Sequence, residues 1–451
     1  MNTPICDFVR SYAERRGVRM HMPGHKGTAR LGPEPLDITE IAGADELYHA
    51  RGVIRESEEN AAALFGSART VYGAEGSSQC VRAMVVLALG LSRDAGGPAR
   101  LLAGRNAHQS FISAAALLDA EVDWLWPSVS GAADDSLLSC PVSPEDLDQA
   151  LSRRSYAAVY LTSPDYLGHL ADIGSLAAVC HAHGTLLLVD NAHGAYLRFL
   201  PEDLHPLSLG ADLCCDSAHK TLPCLTGAAY LHLSRSAPTC LEDRMESAMK
   251  LFGSTSPSWL ILQSLDLANA DLAGSFPDRL ADAVCHMKGL DATLRSLGWK
   301  RIGEEPLKLT LAPKSFGYTG KELAARLRRR GVEPEFADPD FLTLMPSPDT
   351  PPAHWIRLSR ALRSVPCRES RPELPPPLPR PPRACGIREA VLGSRETISL
   401  DQAEGRVLAD ASLSCPPAVY PAVPGEVLTP EAIACFRYYG FSSCSVCKEK
   451  P

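Results

Sequence analysis

Short apolar runs without polar alternation recur in the first half of the chain. They read AAVYLT, TLLLVD, ADLCCD and AAYLHL, at residues 157–162, 185–190, 211–216 and 228–233. Runs of this length and composition are typical of strands that are buried on both faces. Residues 170–183 have a helical pattern that ends before Gly184, a residue suited to terminate a helix. Because such strands alternate with helices, we predict an α/β domain with a mostly parallel sheet.

A second region follows with a different pattern. It predicts a small α+β domain with helices at 277–297, 320–330 and 355–364 and a strand at 307–312. The segment RPELPPPLPRPPR at 371–383 cannot form a helix or a central strand, so we predict extended polyproline II. A semi-rigid linker is favoured over an SH3-type ligand. The predicted domains are therefore 1–276 (N-terminal segment and large domain), 277–366 (small domain), 367–383 (linker) and 384–451 (C-terminal module).

Composition narrows the class of protein. The 451 residues carry a net charge of −8, which argues against a general nucleic-acid binder. We find no apolar stretch of membrane-spanning length and no signal-peptide pattern, so we expect a cytoplasmic protein without membrane contact. In such a chain the 15 cysteines are predicted to be free thiols. Cys444 and Cys447 form a lone C-x-x-C, for which scattered thiols are favoured over zinc; we predict no metal site.

The segment DSAHKTLPCLT begins at the end of the ADLCCD run and contains Ser217, His219 and Lys220. A lysine directly after a buried strand in an apolar setting is expected to be partly desolvated, which favours its neutral, nucleophilic form. Such a lysine forms a Schiff base with an aldehyde, and the neighbouring serine and imidazole are suited to hold an anion. An ordinary surface lysine after a strand remains an equal alternative at this point.

Asp190 ends the most hydrophobic run of the chain, and a buried carboxylate there requires a partner. A protonated pyridine nitrogen is one such partner, and an aspartate with a downstream lysine is what pyridoxal phosphate requires. Asp190 and Lys220 are 30 residues apart, which leaves room for one crossover. A helix N-cap at Asp190 is the alternative.

Two further segments add weaker signals. In TVYGAEGSSQC a strand runs into glycines and then into Ser77 and Ser78 before an apolar helix, an arrangement suited to a phosphate but common to many turns. In RNAHQSF, His108 precedes a helix rich in small residues. Its ring is suited to stack on a flat heteroaromatic group, although an isolated histidine is more often a cap or a satisfied interior residue.

In chain order these pieces are a phosphate loop, a stacking histidine, Asp and Lys, which resembles the aspartate-aminotransferase-like fold of pyridoxal-phosphate enzymes. The segments HMPGHKG, LDITEIAGADELY, NAHQSF, TSPDYLG, VDNAHGA, DSAHKTLPCLTG and STSPSWLILQSLD resemble the Orn/Lys/Arg decarboxylase family. CPPAVYPAVPGE resembles the signature of its C-terminal domain. The resemblance covers most of 20–267 and the last module. It implies pyridoxal 5′-phosphate as cofactor and α-decarboxylation of arginine, lysine or ornithine to an amine that feeds polyamine metabolism.

The resemblance also implies site residues. Lys220 matches the Schiff-base lysine, Asp190 the partner of the pyridine nitrogen, and His108 the stacking histidine. His219 or the released Lys220 is then the expected proton donor. Phosphate-binding or ring-flanking positions are Ser77, Ser78, Ser217, His219, His193 and Ser163. Thr255 and Ser256 match a segment that reaches the neighbouring subunit's cofactor, so we expect a homodimer with shared sites and leave higher assemblies open; the alternative for 254–258 is a capped helix start.

This sequence departs from the family pattern at Asn191 and Asp165, where the family usually has an acid and a threonine, at Glu75 in the phosphate loop, and at Cys415 and Ala418 in the C-terminal signature. These departures leave the substrate open. We expect no N-terminal response-regulator-like domain and therefore no decamer of the kind associated with it. Two rivals remain: another reaction on the same fold, such as transamination or a lyase step, and a silent regulatory paralogue.

Overall fold

The computed structural model describes residues 1–128, 139–410 and 419–448. The helices are α1 Pro4–Glu14, α2 Val53–Phe65, α3 Ser77–Asp94, α4 Gln109–Leu118, α5 Pro144–Arg153, α6 Ile173–Ala182, α7 Ala218–Thr221, α8 Met245–Lys250, α9 Trp259–Leu272, α10 Phe276–Ser296, α11 Gly320–Arg328, α12 Pro352–Arg363, α13 Ile387–Leu392 and α14 Pro430–Tyr438. The strands are β1 Arg69–Gly73, β2 Arg100–Gly104, β3 Glu121–Leu125, β4 Ala158–Thr162, β5 Leu186–Asp190, β6 Leu213–Asp216, β7 Ala229–Leu233, β8 Arg301–Ile302, β9 Leu309–Leu311, β10 Phe336–Ala337, β11 Leu342–Leu344, β12 Arg395–Ser399 and β13 Ser443–Cys447. Within the described residues no helix has the length and apolarity needed to cross a bilayer.

The chain divides into two compact units. Unit one comprises Met1–Pro98, Leu151–Ser163 and Ile173–Asp278. Its strands lie in the order β1-β7-β6-β5-β4, and the pairs β4–β5 and β5–β6 are parallel, whereas β6–β7 and β7–β1 are antiparallel. The strands consist mainly of Val, Leu, Ala, Cys and Tyr, and they are buried almost throughout. Because β5 and β6 are adjacent and parallel, they end at the same edge of the sheet, and their last residues are Asp190 and Asp216.

Unit two comprises Ala99–Ala150, Pro164–Asp172 and Arg279–Pro451. It contains the parallel pair β2–β3, an antiparallel sheet of order β10-β11-β9-β8, and the antiparallel pair β12–β13. The C-terminal module (residues 384–448) has its own apolar core, which includes Leu408, Leu428, Phe436 and Val446. The predicted domain boundaries remain predictions.

The predicted elements are found close to their expected positions. The four apolar runs form β4 to β7, and the helical pattern before Gly184 forms α6, with Gly184 at a φ of +64°. Cys214 and Cys215 are completely buried in β6, as predicted, and the 14 described cysteines are free thiols. Cys444 lies in the buried face of β13 and Cys447 three residues later is half-exposed on the other face, so this strand geometry does not suit shared coordination of a metal.

The polyproline segment (residues 371–383) is extended, without helix, and it contacts unit two rather than running free. Lys314 Nζ donates to the Glu373 carbonyl at 2.6 Å, and Cys435 Sγ donates to the Pro377 carbonyl at 3.6 Å. The Arg380 guanidinium lies over the Trp126 ring at 5.1 Å. These three contacts hold the polyproline segment against the rest of unit two.

A buried carboxyl group joins α2 to β1 in unit one. Glu58 is 1% exposed, its Oε1 accepts the Tyr72 N–H at 2.9 Å, and its Oε2 has no hydrogen-bond partner. Burial outweighs the hydrogen bond and the nearby Arg69 charge, and it raises the pKa of Glu58 from 4.5 to about 8. Glu58 is therefore protonated in the folded protein at neutral pH.

This group is expected to make stability depend on pH. The contribution of Glu58 is fully present below its unfolded pKa of 4.5 and is lost as the pH rises to about 8, because the unfolded chain then binds fewer protons than the folded chain. Glu58→Gln, measured by denaturant unfolding, should gain stability relative to the unmodified protein as the pH rises from 5 to about 8. The exposed neighbour Glu59→Gln serves as control. A pH-independent difference between Glu58→Gln and the unmodified protein would contradict the expectation.

Candidate active site

Lys220 lies on the short helix α7, directly after β6, as predicted. Its Nζ donates to Nε2 of His193 at 3.1 Å, and His193 is buried with 6% exposure. His193 lies in the turn that follows β5, so the ends of two adjacent parallel strands bring the amine and the imidazole together. The predicted desolvation of Lys220 is not met within the single chain, where its side chain is exposed beyond the edge of the sheet. The turn that holds His193 is what gives this lysine a fixed partner.

Asp190 is the last residue of β5 and is 3% exposed. Its Oδ2 accepts the Tyr160 hydroxyl at 2.8 Å from the adjacent strand β4, and its Oδ1 accepts the Ala192 N–H at 3.2 Å. No helix begins at Asp190, and the next helical turn along the described chain starts at Ala195, so the N-cap alternative does not apply. The Cys215 thiol also donates to Oδ1 at 3.6 Å, so the carboxylate is buried, oriented by three donors and still able to accept a further hydrogen bond.

An anion cradle lies at the start of the 18-residue helix α3. Its N-cap is Gly76, whose φ of +70° suits glycine, and no side chain caps the first turn. Ser217 Oγ donates to Ser77 Oγ at 2.6 Å, which brings the segment after β6 to this helix end. A Cβ built on Gly76 lies 4.0 Å from His219 Cε1, so His219 borders the same loop. Helix amides, hydroxyls and an imidazole are a donor set that suits a phosphate group.

A network that the sequence did not reveal supports this edge of unit one. Asp216 ends β6 with 0% exposure, and its carboxylate accepts from Nε2 of His205 at 3.1 Å and Nε2 of His232 at 3.2 Å. Asn191 Nδ2 donates to the same carboxylate at 2.7 Å. Burial alone would raise the pKa of Asp216, but the charge of His205 and the hydrogen bonds from both imidazoles outweigh it and hold the pKa well below its ordinary value.

His205, Asp216 and His232 offer ligand atoms within 4.8 Å of one another, a spacing that a metal ion could bridge. Their other atoms are already engaged: Leu207 N–H donates to His205 Nδ1 at 3.3 Å, and Thr70 Oγ1 lies 2.8 Å from His232 Nδ1. Burial lowers the pKa of His232, which favours the neutral imidazole. We interpret the cluster as a hydrogen-bonded support for the loop that contains Asn191.

The other predicted residues lie in several places. Ser78 is in the first turn of α3, and Ser163 is buried after β4, where its N–H donates to the Asp190 carbonyl at 3.1 Å. Thr255 and Ser256 lie in an exposed stretch before α9, whose N-cap Ser258 makes no side-chain cap bond. His108, in unit two, is the N-cap of α4 and its Nδ1 accepts the Ser110 N–H at 3.2 Å, while its ring is exposed. His108 is therefore a helix cap, which was the alternative interpretation of this residue. Its stacking on a cofactor ring stays a prediction.

Two of the residues that depart from the family pattern, Asp165 and Asn191, make specific hydrogen bonds in the structure. The Asp165 carboxylate accepts N–H groups of Leu167, Gly168 and His169 at 2.9–3.0 Å and organises a tight turn in unit two. Asn191 is the donor to Asp216 described above. Cys415 and Ala418 lie outside the described residues. Of the residues that sequence reasoning missed, Tyr160 had the clearest signal, since a phenol in a buried apolar run requires a polar partner.

Comparison with solved structures shows the fold. The constitutive lysine decarboxylase of Escherichia coli superposes with a TM-score of 0.74 at 19% identity, covering 99% of this chain and 82% of that protein. Lysine decarboxylase A of Pseudomonas aeruginosa gives 0.75 at 18% identity, covering 97% and 75%. Serine palmitoyltransferase of Sphingomonas wittichii gives 0.55 at 14% identity, covering 81% and 83%. The fold is that of the aspartate-aminotransferase-like, pyridoxal-phosphate-dependent enzymes, as predicted.

Sequence comparison then gives the family. Residues 3–291 match the major domain of Orn/Lys/Arg decarboxylases and residues 373–446 match the C-terminal domain of that family. The chain belongs to the Orn/Lys/Arg decarboxylase family, and it is a pyridoxal-phosphate-dependent amino-acid decarboxylase. Among its relatives are the uncharacterized protein YaaO of Bacillus subtilis (32% identical; 96% of this chain, 93% of the relative) and arginine decarboxylase of the same organism (27%; 96% and 92%).

Proposed function

We propose that this chain removes the α-carboxylate of a basic amino acid, with arginine as the first candidate, to give an amine for polyamine metabolism. The observation that carries the proposal is the contact between Lys220 Nζ and Nε2 of His193, three residues after the buried Asp190, in one unit of a decarboxylase chain. Arginine is placed first because relatives named arginine decarboxylase align with 94–96% of this chain.

Each residue has a defined role in this proposal. The bound cofactor supplies an electron-poor ring that accepts the electrons of the broken Cα–carboxylate bond. Lys220 Nζ holds the cofactor and, once released, is one of two candidate proton donors to Cα, the other being His219. Asp190 keeps the ring nitrogen protonated, and Tyr160 orients that carboxylate. Ser77, Ser78 and Ser217 bind the phosphate, with the first turn of α3 adding backbone donors.

The direct test is a decarboxylation assay with arginine, lysine and ornithine on the purified holoenzyme. We expect carbon dioxide release in step with amine formation and without keto acid, and the highest kcat/KM for arginine. Keto-acid formation would support transamination instead, and cofactor uptake without turnover of any of the three would support the silent paralogue. A higher kcat/KM for lysine or ornithine would refute only the choice of arginine.

We also propose that two chains share each active site through the exposed segment with Thr255 and Ser256. A chain with Lys220→Ala and a chain with Thr255→Ala/Ser256→Glu should each be inactive, since the first lacks the amine and the second brings a carboxylate against the phosphate. Mixed dimers have one site in which both contributions are unmodified. Random mixing should therefore restore about one quarter of the normal activity, because half of the dimers are mixed and one of their two sites works.

The control for this experiment mixes the Lys220→Ala chain with itself after the same dissociation and reassociation. Recovery that depends on the presence of both chains supports the shared site. Absence of recovery, with mixed dimers demonstrated by native mass spectrometry, would mean that each chain builds its site alone.

A further inference from the structure

A buried ion pair joins the C-terminal module to the turn that precedes His108. Arg105 is 0% exposed, and its Nη1 and Nη2 donate to Oε1 and Oε2 of Glu426 at 2.8 and 2.6 Å. Arg105 Nε donates to the Tyr420 carbonyl at 2.9 Å, and Val423 N–H donates to Glu426 Oε2 at 2.9 Å. Both charges thus have the hydrogen bonds that a buried, bidentate pair requires.

The pair acts on a short piece of backbone. Arg105 directly follows β2 and its N–H donates to the Leu125 carbonyl, while Ala107 N–H donates to the Gly104 carbonyl and closes the turn. His108 comes next as the N-cap of α4. Because the predicted stacking imidazole follows so soon after the anchored guanidinium, displacement of Arg105 moves the start of α4.

The module also holds the other end of α4. Helix α13 packs against α4, and Arg388 of α13 donates to the Leu117 carbonyl at 2.9 Å. Leu117 lies in the last turn of α4, where carbonyl groups lack partners within the helix. The C-terminal module therefore contacts the turn before α4 through Arg105 and the last turn of α4 through Arg388.

The ion pair is well suited to fix this arrangement. The Arg105 guanidinium also lies 5.2 and 4.5 Å from the ring centroids of Trp124 and Trp126, so its planar faces are covered. Removing one partner of a buried pair leaves an uncompensated charge, which is strongly unfavourable. The bidentate geometry of an arginine–carboxylate pair also fixes the relative position of the two side chains, whereas an apolar contact allows them to shift.

We propose that the C-terminal module is a clamp that positions His108, with Arg105, Glu426 and Arg388 as positioning residues for cofactor binding. The proposal rests on the proposed function, because it takes up the stacking of His108 on the cofactor ring, which the resemblance to the family implies. It also gives the signature segment at 419–426 a specific role, since the Glu426 of its PGE ending holds the turn of the NAHQSF segment 321 residues earlier.

Hydrogen–deuterium exchange on the full chain, with and without pyridoxal phosphate, tests the clamp. Glu426→Gln keeps the shape but removes the charge, and should accelerate amide exchange in peptides covering 104–118 by about tenfold or more in the cofactor-free protein. Arg388→Ala should accelerate exchange at the end of α4 without unfolding the chain, since Arg388 is exposed. Both variants should also raise the pyridoxal-phosphate dissociation constant and alter the visible circular dichroism of the bound cofactor.

Glu396→Gln is the matched control, because it removes a carboxylate that pairs with Arg406 at the surface of the same module. Unchanged exchange over 104–118 in both variants would refute the clamp. Faster exchange with unchanged cofactor affinity and dichroism would refute its positioning role. If the unmodified protein takes up no pyridoxal phosphate, the proposed function and the positioning role fail, whereas the exchange data still decide whether the module holds α4.

Discussion

Replacing Lys220 with alanine is expected to lower turnover by about a thousandfold or more and to abolish the visible absorbance of the protein-bound Schiff base. The reason is that Lys220 Nζ, held 3.1 Å from His193 Nε2, is the only amine that we assign to the cofactor. Lys220→Arg keeps the positive charge but cannot form the same linkage, so it should fail in the same way. Absorbance spectra and single-turnover assays measure both effects.

The control for Lys220 is Lys288→Ala, which removes an exposed lysine of α10 outside the proposed site. Thermal unfolding of both variants separates loss of chemistry from loss of structure. Multiple turnover at a normal rate by Lys220→Ala would mean that the Schiff-base assignment is wrong.

Asp190→Asn is expected to lower the decarboxylation rate by about a hundredfold or more, with a smaller loss of cofactor affinity. An amide has nearly the shape of the carboxylate and can still contact the ring nitrogen, but it cannot keep that nitrogen protonated. Tyr160→Phe removes the 2.8 Å hydrogen bond to Asp190 Oδ2 and should give a smaller decrease in kcat. The measurement is kcat under saturating cofactor, together with the cofactor dissociation constant.

Asp282→Asn, an exposed carboxylate of α10, is the control for this substitution. Near-normal rates in Asp190→Asn would show that Asp190 serves only the local turn, through its bond to the Ala192 N–H. If the decarboxylation rate of Asp190→Asn fell only in proportion to the loss of bound cofactor, the proposal that Asp190 keeps the ring nitrogen protonated would also be contradicted.

The strands β4 to β7 were predictable because each is a compact apolar run, and β4, β5 and β6 end in a polar residue. Polar ends at Asp190 and Asp216 also located the site edge, since parallel strands bring their ends together. The antiparallel pairing of β1 with β7 was not predictable. It places Thr70 opposite His232, and no local sequence pattern indicates that these two strands are neighbours. Helix ends were shifted by a few residues, as at α12, which begins at Pro352 rather than at 355.

The site was predictable where neighbouring residues carry the signal, as in the segment with Ser217, His219 and Lys220. It was not predictable where the partner is distant in sequence. The Arg105–Glu426 pair spans 321 residues, and neither residue has a local pattern that names the other. The partners of Asp216 were also not predictable, because the local sequence around a carboxylate at a strand end does not show whether imidazoles or solvent contact it.

The fixed polyproline segment has a practical consequence for handling the protein. Proline-rich stretches outside helices and strands are natural places for a protease to cut, yet Glu373, Pro377 and Arg380 are each tied to unit two. A chain nicked between 371 and 383 would therefore show two bands on a denaturing gel while eluting as one species from a native sizing column. Cleavage there would release no fragment, so the C-terminal module should be studied in the intact chain.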